Sequence, residues 1–172
     1  MRLLTVACPL LVAVLMTSAA ACASAAEDRP APQVGRIMPA FALFDLNGLP
    51  HRLADYREPV LVINFFAYWC DTWVKQLPQL RELAQQQTDL HFRLIGISVD
   101  GQWSEVRRKY LRDQKLEFPV LLDGRMELAR QIGLRRIPTV LVLDRNRKIT
   151  YVHEAYPGNP PVLTAIRKAL SQ

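Results

Sequence analysis

Short apolar runs recur along the chain at the spacing of alternating strands and helices. Runs rich in Val and Ile, typical of strands buried on both faces of a sheet, lie at residues 60–66, 94–99, 119–122, 139–143 and 149–152. Before them, apolar segments at 41–44 and 51–53 flank Asn47-Gly48, where glycine accepts a positive φ, and predict a hairpin. The last two runs are joined by a loop too short for a parallel crossover. They must therefore pair antiparallel, which makes the predicted sheet mixed.

Segments between these runs have the periodicity of amphipathic helices. After Cys70, four apolar residues fall on one helical face: Trp73, Leu77, Leu80 and Ala84. Pro78 lies within this helix and predicts a kink. Three further helices are expected, from Ser104 as N-cap to about Asp113, from Met126 to Ile132 with Gly133 ending it, and from Pro160 to Leu170 with Leu163, Ile166 and Leu170 on one face. Strands and helices that alternate in this way predict an α/β fold with a central sheet.

Composition narrows the classes of function. The chain has 172 residues, of which 50% are hydrophobic and 22% charged, and this favours one folded domain over a disordered chain. It contains neither G-x-G-x-x-G nor G-x-x-x-x-G-K-[ST], the usual nucleotide-binding loops. The formal net charge is +6, with basic clusters at 107–115, 135–136 and 145–148. No aromatic residues alternate with these clusters, so we expect no nucleic-acid partner; a solvated surface is favoured over attraction to anionic lipid headgroups.

The N-terminal segment has the order of parts found in a secretory signal peptide. One positive charge precedes a short apolar centre, and small residues follow it. We predict a signal peptide over residues 1–26, a polar leader over 27–34 and one domain over 35–172. Two alternatives stay open: a retained N-terminal anchor, and a lipoprotein cleavage before Cys22 that leaves lipid on this cysteine. In each case the protein is exported, either periplasmic or held at the membrane facing the periplasm.

Cysteine usage points to a single thiol in the exported domain. Three cysteines are too few for a disulfide scaffold, and two of them, Cys8 and Cys22, lie in the export segment. The third, Cys70, stands directly after a predicted buried strand and opens a helix, where the helix dipole favours a thiolate. The negative charge of Asp71 acts in the opposite sense. A reactive site is preferred over the alternative interpretation of Cys70 as a small core residue.

Metal and cofactor binding are not expected. His51, His91 and His153 stand singly, at no ligand spacing from one another or from Cys70. Each is interpreted as a surface or strand-edge residue.

Six segments occur in the order seen in one known family. They are G-R-I-M-P-A-F-A-L-F-D-L-N-G at 35–48, V-L-V-I-N-F-F-A-Y-W-C at 60–70, L-P-Q-L at 77–80, L-I-G-I-S-V-D at 94–100, F-P-V-L-L-D at 118–123 and G-L-R-R-I-P-T-V-L-V-L-D at 133–144. On these residues the chain resembles the thioredoxin-like exported reductases of the TlpA/ResA type, within the wider redoxin (AhpC/TSA) superfamily. The resemblance implies a thioredoxin-like α/β fold, with a mixed central sheet flanked by helices and an N-terminal β-hairpin extension. It also implies thiol–disulfide chemistry at Cys70 and a cis peptide bond before Pro138.

The chain departs from that family at the active-site motif. The family's W-C-x-x-C is here Trp69-Cys70-Asp71-Thr72-Trp73, and the family's acid three residues further on is Gln76. Without a second cysteine, a mixed disulfide at Cys70 waits for an outside thiol. A peroxidase of the same superfamily would carry P-x-x-x-T-x-x-C, but this chain has Ile63 and Ala67 at those Pro and Thr positions. Peroxidase activity is therefore not expected.

The resemblance assigns a substrate groove around Cys70. Trp69, Trp73, Ile137 and Pro138 are its expected residues, with the cis-proline loop offering backbone groups to an extended peptide. Trp73 has a second interpretation, because it also belongs to the apolar stripe of its helix. Arg135 and Arg136 flank the loop, either as partners of a thiolate or acidic group or as solvated side chains.

Two functions follow from these residues. The first is an exported thiol–disulfide oxidoreductase-type protein that acts through Cys70 alone. Its partners would be protein or small-molecule thiols and disulfides, and the expected state is a monomer. The second is a redox-inactive binding or chaperone-like module that uses the cis-proline groove without catalysis.

Overall fold

The computed structural model describes residues 31–101 and 111–172. Its strands are β1 (Ala42–Asp45), β2 (Pro50–Arg52), β3 (Val60–Phe66), β4 (Phe92–Ser98), β5 (Val120–Leu122), β6 (Thr139–Leu143) and β7 (Ile149–Glu154). Its helices are α1 (Asp71–Gln85), α2 (Glu127–Ile132) and α3 (Asn159–Leu170), with a 3₁₀ turn at Leu53–Asp55. The predicted signal peptide with Cys8 and Cys22, and the start of the helix expected from Ser104, lie outside the described residues.

The central sheet is mixed, as predicted, and places β3 in its interior, between β4 and β6. In the described residues the strand order is β2-β1-β5-β4-β3-β6-β7. Strands β3, β4 and β5 run parallel, whereas β6 and β7 pair antiparallel with their neighbours. In the β3–β6 pair, Phe65 lies opposite Thr139 and Leu61 opposite Leu143. The two turns that flank β6 therefore lie at opposite ends of β3.

Strand β3 is buried on both faces because the sheet separates two apolar layers. Alternate residues of a strand point to opposite faces. One set, with Val62 and Phe66, packs against α1 and α3. The other set, with Ile63 and Phe65, packs against α2 and the hairpin side. This arrangement explains why β3 is a continuous apolar run instead of an alternating one.

Helix α1 buries the face that the sequence predicts. Its stripe residues are 0–4% exposed: Trp73, Leu77, Leu80 and Ala84. Pro78 lies inside the helix, as predicted. The kink that a proline there implies stays a prediction. No helix within residues 31–101 or 111–172 combines the length and the apolar character that crossing a bilayer requires.

Element boundaries differ from the expectation in a few places. Strand β4 begins two residues earlier than predicted and β7 extends two residues further. In α3 the buried face is formed by Val162, Ile166 and Ala169. The predicted residues pack on this core as well: Ile166 is buried, and Leu163 and Leu170 lie half-buried at its margin. Gly133 ends α2 with a φ of +73°, as predicted.

The hairpin forms between β1 and β2 as predicted. One carboxylate oxygen of Asp45 accepts the backbone N–H groups of Asn47 and Leu49, both at 2.8 Å. Gly48 has a φ of +83°, the left-handed conformation that glycine adopts at no steric cost. A side-chain acceptor and a glycine thus fix the turn together.

Candidate functional site

Cys70 lies beyond the carboxyl end of β3, as the N-cap of α1. Its backbone N–H donates to the carbonyl of Ala67 at 3.0 Å, and its own carbonyl accepts the N–H of Val74 at 3.1 Å. The residue is half-buried, and its thiol is free. Trp69, immediately before it, is 64% exposed. A partly accessible thiol therefore stands next to an exposed aromatic ring, at the end of the sheet where ligands of α/β proteins gather.

Asp100 fastens the loop that carries Cys70. This carboxylate follows β4, is 3% exposed and accepts the backbone N–H of Tyr68 at 2.9 Å. The hydroxyl of Ser98 donates to the same carboxylate oxygen. A side chain from the neighbouring strand thus fixes the backbone two residues before the thiol. Sequence reasoning missed Asp100, since a single Asp after a strand gives no indication of a partner 32 residues away.

Trp73 occupies a closely fitted position one turn below Cys70. Its side chain is fully buried, and its indole Nε1–H donates to Oδ1 of Asn64 at 3.1 Å. The indole lies parallel to the ring of Phe66, with centroids 3.9 Å apart and planes 5° apart. The indole N–H therefore forms a hydrogen bond, and each ring has apolar contacts with the other, as is usual for buried aromatic side chains.

Gly96 makes room for this stack. It lies opposite Asn64 in the β3–β4 pair. A Cβ at position 96 would come within 3.0 Å of a Phe66 ring carbon and 3.3 Å of a Phe118 ring carbon. Asn64 and Gly96 were not predicted as site residues. A polar residue inside an apolar run and a glycine inside a strand were the available signals.

The layer beneath Cys70 contains buried amides where the family has an acid. Gln76 is 8% exposed and its Oε1 has no hydrogen-bond partner among the described residues. The same holds for Nδ2 of Asn64. On this side of the sheet α1 and β3 therefore present neutral polar groups and aromatic rings beneath the thiol.

The proline loop reaches the same end of the sheet as Cys70. The Ile137–Pro138 peptide bond is cis, as the family resemblance implies. Because Thr139 pairs with Phe65, the loop before β6 emerges beside the end of β3. The carbonyl of Pro138 accepts the N–H of Ala155 at 2.7 Å. Pro138 is buried and Ile137 is half-buried.

The two arginines of this loop are exposed. Nε of Arg136 lies 3.4 Å from a carboxylate oxygen of Glu154. The Arg136 backbone carbonyl also accepts the hydroxyl of Thr139 at 2.7 Å. Arg135 forms no hydrogen bond or ion pair with another described residue. The structure therefore gives Arg136 a surface ion pair and leaves the role of Arg135 a prediction.

The histidines belong to three different segments: His51 to β2, His91 to the loop before β4 and His153 to β7. His51 contacts Tyr56 and Asp45 within the hairpin region, at 3.1 and 3.5 Å. His153 stacks on Tyr151 in the edge strand β7. Within the part of the chain that the structure describes, no three His, Cys, Asp or Glu side chains form a group that could hold a metal ion.

Of the predicted groove residues, Trp69, Ile137 and Pro138 belong to the two loops at this end of the sheet. Trp73 lies under them, without exposed surface. Contact between Trp73 and a substrate stays a prediction. The burial of Trp73 and its contacts with Asn64 and Phe66 do not favour it. The arrangement offers one free thiol next to the exposed ring of Trp69.

The amino-acid sequence of the chain is similar to one protein family. The model of the AhpC/TSA family matches residues 34–152. The thiol-disulfide oxidoreductase ResA of Geobacillus thermodenitrificans is 29% identical over 122 residues, which cover 71% of this chain and 70% of that protein. ResA of Bacillus anthracis is 25% identical over the same length and the same shares.

Solved structures confirm the thioredoxin-like fold. The pneumococcal exposed lipoprotein thioredoxin Etrx1 of Streptococcus pneumoniae superposes with a TM-score of 0.68 at 24% identity, over 76% of this chain and 99% of that one. StoA of Bacillus subtilis gives 0.64 at 19% identity, over 75% and 97%. Peroxidoxin BcpB of Mycobacterium tuberculosis gives 0.67 at 22% identity, over 80% and 96%.

Proposed function

We propose that this chain, which belongs to the AhpC/TSA family, is an exported thiol–disulfide exchange protein that acts through one cysteine, Cys70. The main observation behind this proposal is what stands at positions 70 and 73. The first is a half-buried thiol at the N-terminus of α1, and the second fills the position of a resolving thiol with a fully buried indole. The ResA proteins, which bear the name thiol-disulfide oxidoreductase, support the reaction class.

The exchange would run in two steps with an outside thiol. The Cys70 thiol first loses its proton to water. The resulting thiolate attacks one sulfur of a substrate disulfide; a Cys70–substrate disulfide forms, and the other substrate sulfur leaves as a thiolate. An external thiol, as its thiolate, then attacks the substrate sulfur of this adduct, forms a new disulfide with it and releases Cys70. No electron acceptor is needed, because each step exchanges one S–S bond for another.

The substrate surface would be formed by Trp69, Ile137 and Pro138. The exposed ring of Trp69 offers apolar contact next to the sulfur. The neighbouring proline loop can hold an extended segment through backbone groups, the mode of strand addition. Protein or small-molecule thiols and disulfides are the proposed partners, and Trp73 would act on them only by supporting the helix start.

Location and reaction class are supported by different observations. The predicted N-terminal export segment and the likeness to an exposed lipoprotein support a place outside the cytoplasm.

A peroxidase role is not supported by the residues at the peroxidase Pro and Thr positions. Ile63 and Ala67 are fully buried and carry no hydroxyl that could orient a peroxide.

The test is turnover of a glutathione mixed disulfide that carries a chromophore, with glutathione as the outside thiol. The background protein carries Cys8→Ser and Cys22→Ser, so that only Cys70 can react. We expect turnover in this background and none after Cys70→Ser. A Cys70→Ser protein as active as its parent would contradict the proposal, as would a parent without activity above the uncatalysed rate.

A redox-inactive binding module is the second candidate, and the neutral amide Gln76 in place of an acid favours it. Here Cys70→Ser would leave peptide binding unchanged, while Trp69→Ala would weaken it. Binding of an unfolded thiol-free polypeptide, measured beside the turnover assay, separates the two candidates.

A further inference from the structure

The end of the sheet opposite Cys70 brings three separate segments together. Leu143 pairs with Leu61, so the turn 144–148 lies at the amino end of β3. The N-terminal segment joins this turn. Gly35 N–H donates to the Ile149 carbonyl, and Ile149 N–H donates to the Arg36 carbonyl, both at 2.8 Å. Residues 35–37 are therefore held beside the β6–β7 turn.

Arg147 ties the third segment to the other two. Its guanidinium donates to the backbone carbonyls of Glu58 and Tyr56, just before β3 begins. Burial lowers the pKa of Arg147, although the nearby carboxylates of Glu58 and Asp144 act against this effect. Arg147 thus holds the segment before β3 against the β6–β7 turn. The side chains next to it in the turn, Arg145 and Lys148, are exposed to solvent.

That surface carries basic and apolar side chains together. We call it the basic corner, and its exposed residues are Val34, Arg36, Ile37, Arg57, Arg145 and Lys148. Val34 and Ile37 are 64% and 61% exposed, which is high for aliphatic side chains that could have been buried. The four basic residues come from three segments far apart in the sequence.

Both acidic residues of these segments, Glu58 and Asp144, have ion-pair or hydrogen-bond partners of their own. The carboxylate of Glu58 lies 2.8 Å from the guanidinium of Arg93. Asp144 is 5% exposed, and its Oδ1 accepts the backbone N–H groups of Asn146 and Lys148 at 2.9 Å each. In the segments 34–38, 56–59 and 144–148 the exposed charge is therefore positive.

We propose that the basic corner docks on the headgroup surface of an anionic bilayer. Lys and Arg side chains near such a surface each contribute attraction, and exposed aliphatic side chains among them enter the headgroup boundary. The chain enters the domain through residues 31–37, so the segment predicted for export leads directly into this corner. An N-terminal anchor and the basic corner would hold the same side of the domain to the membrane.

This docking sets the direction in which Cys70 faces. Strand β3 has seven residues. At about 3.3 Å per residue it separates the two ends of the sheet by roughly 20 Å. With the basic corner on the bilayer, Cys70 and the proline loop face the aqueous side, where thiol-bearing partners can reach them.

The test is flotation of the full chain with vesicles of phosphatidylcholine alone or with added phosphatidylglycerol. We expect a preference for the anionic vesicles that weakens as salt rises, since the Debye length falls below about 8 Å above physiological ionic strength. Arg145→Glu with Lys148→Glu should lower the anionic partition coefficient at least tenfold, because each basic residue near such a surface contributes about fivefold.

A charge-matched variant makes the test specific to the corner. Lys75→Glu with Arg125→Glu changes the net charge equally, at exposed residues beyond the carboxyl ends of β3 and β5. This control should keep most of the anionic preference, and circular dichroism checks that both variants fold. Equal binding to the two vesicle types by the wild-type chain would overturn the proposal. So would an equal loss in the two variants, which would reduce the effect to net charge.

Discussion

The two ends of the sheet differ in what holds them and in what they present to solvent. Beyond the carboxyl end of β3, Cys70 stands over a buried layer in which Trp73 stacks on Phe66 and donates a hydrogen bond to Asn64. At the amino end, backbone hydrogen bonds and Arg147 join segments that expose four basic side chains and two aliphatic ones. Substitutions at the first end should therefore act mainly on stability, and substitutions at the second mainly on charge.

Trp73→Ala should have the largest effect on stability. Removing a fully buried indole deletes its contacts with Phe66 and leaves a cavity, which lowers the free energy of unfolding by about 3–5 kcal/mol. Chemical denaturation measures the loss. Trp69→Ala is the matched control, since its ring is 64% exposed; it should cost less than about 1 kcal/mol. Equal losses at the two tryptophans would show that the layer beneath Cys70 is not packed as described.

Gly96→Ala should have the second largest effect on stability. The added Cβ meets the Phe66 ring at 3.0 Å, and overpacking a tight core costs about 1–3 kcal/mol. Gly101→Ala is the control, because the nearest atom to a Cβ there is 3.9 Å away. In a denaturation series the Gly101 variant should stay within about 1 kcal/mol of the parent. A parent-like Gly96 variant would indicate that Phe66 is free to move.

Asn64→Ala tests the hydrogen bond to the indole. It leaves the Trp73 N–H buried without its acceptor, at a cost of about 1–3 kcal/mol. A double-mutant cycle with Trp73→Phe isolates this bond, since phenylalanine has no N–H to satisfy. We expect a coupling of at least about 0.5 kcal/mol between positions 64 and 73. Strict additivity would mean that the bond contributes nothing.

The smallest effect is expected at the amino end, for Glu58→Gln. The partly exposed pair with Arg93 contributes about 0–1 kcal/mol. Burial raises the pKa of Glu58, but backbone N–H groups and Arg93 outweigh it and hold this pKa below its ordinary value of 4.5. The contribution is thus fully present above about pH 4.5 and is lost as the pH falls through the lower, folded-state value. The wild-type minus variant stability should be constant near neutrality and shrink in acid; a difference that grows in acid would contradict the assignment.

Local patterns were enough to predict most elements. The continuous apolar run of β3, the Asn47-Gly48 turn and the stripe of α1 each depend on neighbours close in sequence, and each was found where predicted. The cis bond before Pro138 came from the family resemblance instead.

Features made by distant residues could not be predicted in this way. Asp100 reaches Tyr68 from the adjacent strand, and Gly96 matters only because Phe66 lies against it. The basic corner was visible in part, as the cluster at 145–148. Its other members, Arg36 and Arg57, join it through backbone pairing and the hydrogen bonds of Arg147, which periodicity does not encode.

The missing side chain at Gly96 also couples what can be changed at position 73 to what can be changed at position 96. With cysteine at position 73, the indole's volume would become a void, and the bare backbone at 96 has no side chain to fill it. Enlarging position 96 first would clash with Phe66 while Trp73 still holds that ring in place. Each single substitution therefore lowers stability, so a cysteine at position 73 requires a paired change elsewhere in this layer.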